Sequence, residues 1–169
     1  MALPEVHVFI GLGSNEGDSL QHLSDARRNI GELPEANLIA TSSFYRTAAW
    51  GKTDQPDFIN QVIQVSTTYH PEELMLLLLE IEEQMGRKRE EKWGPRSIDL
   101  DILFFGQSIL HFDLLQVPHP HITERRFVLE PLCELAPDFV HPLNGITVRQ
   151  LLELCTDIGS VKRINSGNE

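Results

Sequence analysis

The chain has 169 residues, 41% of them hydrophobic, and a formal net charge of −11 with a pI near 5.0. That length buries one good core and predicts a single domain over residues 1–169 with a flexible tail at 163–169, while the acidic balance argues against general binding of nucleic acid or anionic membrane. The longest apolar run, Leu74 to Leu79, falls far short of the roughly 20 residues of a spanning helix, and the opening Met-Ala-Leu-Pro-Glu lacks a basic leader region, so a cytoplasmic protein is expected.

In chain order, Val6 to Leu12 is a β-rich apolar run that leads into Gly11, Gly13 and Gly17. Asp18 or Ser19 can then cap a helix carrying Leu20, Leu23, Arg27 and Ile30 near helical spacing. The glycines miss the dinucleotide fingerprint, whose third glycine would fall at 16, and no acidic residue closes a second strand some 20 residues on. Asn37 to Arg46 and Phe58 to Tyr69 are rich in β-branched and aromatic residues and predict paired strands, parted by a loop over Trp50 to Pro56. Pro71, with Glu72 and Glu73 in the first turn, opens a helix whose apolar face is Leu74, Leu77, Leu78, Ile81 and Met85 and whose stop is Gly86.

After a polar loop comes a strand holding Asp99 and Asp101, then a turn at Gly106 and Gln107 and an apolar stretch, Ile109 to Leu115, that suits a hairpin. Thr123 can cap a helical segment that Pro131 interrupts, and Thr147-x-x-Gln150 is a capping box that opens a last helix on Val148, Leu151, Leu152 and Cys155. The order is β-α-β-β-α-β followed by a helical remainder. It predicts an α/β chain of the α+β kind, with a ferredoxin-like core, a mainly antiparallel sheet and helices on both faces. Cys133 and Cys155 form no Cys-x-x-Cys pair and are expected to be buried free thiols. His119 and His121 lack the further ligands that zinc would need.

The chemistry gathers around Trp93-Gly94-Pro95-Arg96-Ser97-Ile98-Asp99-Leu100-Asp101-Ile102. Side chains two apart on a strand share a face, so Asp99 and Asp101 stand together while Ile98, Leu100, Ile102 and Phe104 are expected opposite them. Two clustered carboxylates suit Mg²⁺, which completes its octahedron with waters and substrate phosphates. Arg87, Lys88, Arg89, Lys92 and Arg96 place five of the chain's 14 Lys and Arg residues within ten positions just before that strand. On so acidic a protein the cluster fits a small polyphosphate better than a long polyanion. Phe58 and Phe127 could sandwich a flat heterocycle, and Asn60 offers a donor and an acceptor to its edge.

Phe44-Tyr45-Arg46-Thr47, Asp54-Gln55-Pro56-Asp57-Phe58-Ile59-Asn60, Arg87 through Phe105 and Val117-Pro118-His119 resemble 6-hydroxymethyl-7,8-dihydropterin pyrophosphokinases, as does Gly11-x-Gly13-Ser14-Asn15. The resemblance runs from about residue 6 to 142, and its most specific stretch, Arg-Trp-Gly-Pro-Arg-x-x-Asp-Leu-Asp-Ile, has Lys92 in place of the first Arg. It implies transfer of the diphosphoryl unit of ATP to the hydroxymethyl group of a reduced pterin, with release of AMP, in folate synthesis. It further implies two Mg²⁺ ions on Asp99 and Asp101, catalytic roles for those residues with Arg87 and Arg96, and ATP contacts from Glu82, Arg87, Arg89, Trp93, Arg96, Ile102, His119 and Arg125. Pterin contacts are implied for Thr47, Ala48, Trp50, Phe58, Asn60, Trp93, Asp99 and Phe127. Loop 86–95 is expected to close over the phosphates, sealed by Trp93.

Three departures stand out: Leu114 where some relatives carry Arg, Pro120 where an aromatic is frequent, and Ala48-Ala49 in place of prolines. A monomer with ATP and the pterin as small-molecule partners is expected. Two other classes remain open on residue pattern alone. A non-catalytic regulator that binds ATP or metal would leave the aromatic and Asn positions idle, and an RNA-binding ferredoxin-like domain would want a basic sheet face.

Overall fold

The computed structural model describes residues 4–48, 55–86 and 97–164. β1 (Val6–Ser14) is the central strand and runs straight through Gly11 and Gly13, two residues further than the apolar run alone suggests. α1 (Ser19–Gly31) follows, its first turn capped by Asp18, whose carboxylate accepts from Gln21 N at 3.2 Å. The single strand expected over 37–46 is split into β2 (Ala36–Thr41) and β3 (Phe44–Thr47). The break has a cause in Ser42, whose hydroxyl accepts from Val62 N at 3.0 Å and whose carbonyl accepts from Gln61 Nε2 at 2.8 Å.

β4 (Phe58–Thr67) and α2 (Pro71–Gln84) come next, the helix closing before Gly86, whose φ of +84° suits glycine. β5 (Asp99–Phe105) completes the core. The strand order is β5-β1-β4, with β2 and β3 sharing the far edge of β4, and every pairing is antiparallel. This is the expected ferredoxin-like arrangement.

One face of the sheet packs on α1 and α2 through Val8, Ile10, Leu12, Ile63, Leu100 and Ile102 against Leu23, Ile30, Leu74 and Leu78. Each such fully buried aliphatic side chain contributes about 1.5–3 kcal/mol. The other face carries Phe9, Val62, Leu103 and Phe104 against α3 (Arg126–Leu135) and α4 (Val148–Leu154), so helices cover both faces.

Phe104 is therefore on the face opposite to the one expected. The register with β1 shifts between Phe9 and Ile10, so that Ile10 faces Ile102 while Phe9 faces Phe104. The extra residue, Leu103, is a bulge, and one inserted residue reverses the alternation beyond it.

Other local expectations also change. The stretch 109–115 does not pair with β5; β6 (Leu110–His111) pairs with β7 (Gln116–Val117) in a separate ribbon. Thr123 lies inside a short 3-10 turn, Ile122–Glu124, and does not cap α3, while Pro131 sits within α3 without ending it. The Thr147 capping box forms, with Thr147 N donating to Gln150 Oε1 at 2.8 Å and Gln150 N to Thr147 Oγ1 at 3.2 Å. Arg163 and Ile164, assigned to the tail from sequence, belong to β8 (Val161–Ile164), which pairs with β3; residues 165–169 lie outside the described residues. No described helix is long and apolar enough to cross a membrane.

Candidate active site

A cleft of about 300 Å³ opens on the sheet face that carries Asp99 and Asp101. Its floor follows from register. Gly13 on β1 lies directly between Asp99 on β5 and Asn60 on β4, and Gly11 lies between Asp101 and Val62. Two glycines at alternate positions of a central strand leave the backbone bare where side chains would otherwise stand, and the vacant lane becomes a flat slot between the carboxylates and Asn60. A Cβ on Gly13 would lie 2.9 Å from Asn60 Oδ1, whereas one on Gly11 would meet Leu103 Cδ2 at an ordinary 3.5 Å. In the sequence both glycines look like turn residues; their spacing of two within a strand is the signal that marks them as a floor.

The walls come from elements far apart in the chain. Phe58 opens β4, Phe127 lies in the first turn of α3, and both line the cleft with Thr47 and Ala48 at the end of β3. Asn60 is buried and donates from Nδ2 to Thr47 Oγ1 at 3.1 Å, which turns its Oδ1 over Gly13 and into the slot. Asn15, at the end of β1, donates to Gln55 Oε1 at 2.9 Å and to Pro56 O at 3.0 Å. It thus secures the chain just ahead of Phe58, a role its place in the Gly-x-Gly-Ser-Asn motif did not reveal.

Arg125, His119 and His121 also line the cleft. Burial pushes the Arg125 pKa down, while Asp101 and Asp99 favour its charged form, so cation and carboxylates share one poorly solvated space. The guanidinium carbon of Arg125 is 5.7 Å from the centre of the Phe127 ring, within cation–π reach.

His119 is lowered to a pKa of about 4, first by burial and then by the positive charge of Arg125. Its Nδ1 accepts the His121 backbone N–H at 3.2 Å, so the neutral ring carries its proton on Nε2. Near pH 7 it is therefore an uncharged donor. Between pH 6.5 and about 4 the unfolded chain takes up a proton that folded His119 refuses, so this stabilising contribution is complete above 6.5 and is lost as the pH falls. The unfolding midpoint of the unliganded protein should drop more steeply across that window than the midpoint of His119→Gln, and equal slopes would contradict the assignment.

Not every residue assigned from sequence comes to the cleft. Ile102 is buried in the core on the α1/α2 side, as alternation from Asp101 requires. Glu82 is 1% exposed on α2, and its Oε2 accepts from Leu100 N at 2.7 Å. That bond grips the backbone of β5 between the two aspartates, so Glu82 acts on their strand and does not line the slot. Ser97 Oγ reaches Met85 O at 3.5 Å, a second tie between the end of α2 and the start of β5. Trp50, Arg87, Arg89, Trp93 and Arg96 lie outside the described residues.

The donor set fits magnesium better than a softer ion. Asp99 and Asp101 present hard carboxylate oxygens on one face beside an open cleft, and no group of three or more His, Cys, Asp or Glu suited to a protein-only metal cage occurs among the described residues.

Comparison with known proteins agrees with this geometry. The family model described as 7,8-dihydro-6-hydroxymethylpterin-pyrophosphokinase (HPPK) matches residues 9–137. A 2-amino-4-hydroxy-6-hydroxymethyldihydropteridine pyrophosphokinase of Synechocystis sp. is 42% identical over 154 residues, covering 90% of this chain and 78% of its own length. The enzyme of the same name from Aquifex aeolicus is 40% identical over 136 residues, covering 80% of this chain and 84% of its own. The crystal structure of Plasmodium falciparum HPPK-DHPS with pterin and p-hydroxybenzoate superposes with a TM-score of 0.72 at 17% identity, over 90% of this chain and 42% of the longer one. With the fold, the aspartate pair and the Asn60–Thr47 edge all in place, the chain belongs to the 7,8-dihydro-6-hydroxymethylpterin-pyrophosphokinase family.

Proposed function

We infer that this chain is a 2-amino-4-hydroxy-6-hydroxymethyldihydropteridine diphosphokinase, which moves the diphosphoryl group of ATP to the hydroxymethyl oxygen of 6-hydroxymethyl-7,8-dihydropterin in folate synthesis. The observation that carries the reading is the glycine-floored slot, with a carboxylate pair on one bank and the Asn60 amide on the other. A planar bicyclic ring would enter the slot between Phe58 and Phe127, with its donor edge turned to Asn60 Oδ1. That pose directs the hydroxymethyl arm toward Asp99 and Asp101. A regulator that merely bound ATP would have no use for Asn60, Thr47 and the two phenylalanines, and relatives near 40% identity are named as catalysts.

Most of the chemistry asked of the protein is positioning and charge management. Asp99 and Asp101 would hold two Mg²⁺ ions, which when bound neutralise phosphate charge and lower the pKa of the attacking hydroxyl. Arg125 faces the same space as a half-buried cation, and neutral His119 offers Nε2–H to a phosphate oxygen without adding charge. Arg87, Arg89, Arg96 and Trp93, outside the described residues, are assigned to the phosphates and to closure over them. The protein works as a monomer in the cytoplasm on these two small molecules.

The direct test incubates purified protein with ATP, Mg²⁺ and 6-hydroxymethyl-7,8-dihydropterin and resolves the nucleotides by chromatography. AMP in proportion to diphosphorylated pterin is expected. ADP, or no pterin-dependent product, would overturn the assignment.

The floor makes a separate prediction. Gly13→Ala drives a methyl group against Asn60 Oδ1 and should raise the pterin KM by about tenfold with a smaller change in kcat. Gly11→Ala, with its roomier surroundings, should do less. Equal effects of the two would contradict the slot.

A further inference from the structure

The two cleft residues Arg125 and Phe127 flank Arg126, whose side chain serves a different purpose. Arg125 is the N-cap of α3, in extended backbone with φ −121° and ψ 101°, and its side chain makes no capping bond because it is turned into the cleft. The first amide of the helix is satisfied from 31 residues away, Arg126 N donating to Asp157 Oδ2 at 3.1 Å. Arg126 returns the contact, with Nε donating to Asp157 O at 3.0 Å and Nη2 to Cys155 O at 3.1 Å. Asp157 is itself held in its turn by Gly159 N on Oδ1 at 2.9 Å.

From this clasp the chain runs on into β8, where Val161 pairs with Thr47 of the opposite cleft wall. Glu134, at the far end of α3, accepts from Tyr45 Oη at 2.7 Å and meets Arg163 Nη2 at 3.3 Å. The segment 155–164 therefore joins the Phe127 wall to the Thr47 wall. It also lies beyond residues 9–137, the stretch matched to the family.

We propose that the Arg126–Asp157 clasp is a positioning device for the pterin slot: it fixes the first turn of α3 so that Arg125 and Phe127 face the cleft, while β8 holds Thr47 at the matching distance. Asp157 and Arg126 are positioning residues and touch no substrate. The proposal rests on the reading of the cleft as the pterin site.

The test is the dissociation constant of 6-hydroxymethyl-7,8-dihydropterin, read by its fluorescence in the presence of Mg²⁺ and a non-hydrolysable ATP analogue. KM, kcat and thermal unfolding are measured alongside. Asp157→Ala should raise the pterin Kd and KM by about tenfold, because a wall displaced by a fraction of an ångström no longer stacks. Asp157→Asn keeps one acceptor oxygen, which can serve Arg126 N only by giving up the bond from Gly159 N, so it should recover part of the loss and fall between wild type and Asp157→Ala in both constants.

A purely structural cap would lower the unfolding midpoint of Asp157→Ala and leave its pterin affinity unchanged, and that result overturns the proposal. Arg126→Lys keeps the backbone cap and loses the forked bonds, so an intermediate rise in Kd is expected. Should Asp157→Ala fail to fold, Arg126→Lys decides, and an unaltered Kd in that variant is fatal. Wild-type protein that binds no pterin overturns the slot and the clasp together; wild type and Asp157→Ala binding alike overturns the clasp alone.

Discussion

Asp99→Ala and Asp101→Ala are each expected to lower kcat by at least about a thousandfold while leaving the thermal unfolding midpoint within a few degrees of wild type. The two outcomes separate because β5 divides its labour by face. Asp99 and Asp101 point into the cleft, where they carry no core packing, whereas Ile98, Leu100 and Ile102 fill the interior against α1 and α2. Removing one carboxylate deletes half of the anionic bank opposite Arg125 and leaves the sheet intact. Asn at either position, similar in shape but uncharged, should rescue little, because charge is what the site requires. Steady-state AMP formation with circular dichroism melts decides the matter, and a variant with near-normal turnover would refute the two-carboxylate site.

The second large effect concerns stability. Phe104→Ala should cost about 3–5 kcal/mol, which for a chain of this size lowers the melting midpoint by roughly 6–20 °C. Phe104 is fully buried, with its ring 4.7 Å from Phe139, 5.3 Å from His141 and 6.4 Å from Phe9, centre to centre. These contacts exist only because the bulge at Leu103 turns Phe104 away from α1 and α2 and toward the layer formed by α3 and α4. Ile102→Val, on the other face, should cost only about 0.5–1.5 kcal/mol. If denaturant unfolding gave Phe104→Ala a loss below about 1 kcal/mol, the aromatic cluster would not be the keystone of the second layer.

Much of the fold was legible because its signals are local. The Pro71 start and Gly86 stop of α2, the Asp18 cap of α1 and the Thr147–Gln150 box each depend on residues within a turn or two of one another. The β-α-β-β-α-β order follows from switches between a period of two and a period near 3.6, and it selects the ferredoxin-like sheet. Asp99 and Asp101 share a face for the same local reason.

What the sequence determined by itself, then, is the sequence of elements, the aspartate pair on a strand and the family motifs around it. Tertiary structure alone decided the rest. The bulge at Leu103 arises from how β5 registers against β1, and no pattern within β5 announces it. Gly11 and Gly13 became a floor only once β4 and β5 lay on either side of them. Thr123 lost the cap of α3 to Asp157, a competitor 31 residues from the helix start. Glu82 found the backbone of β5 instead of the cleft, and His119 lost its charge through burial beside Arg125. The physical reason is common to all of them: propensity and periodicity act between neighbours along the chain, whereas register, burial and electrostatic environment are properties of groups that meet only after the chain has folded.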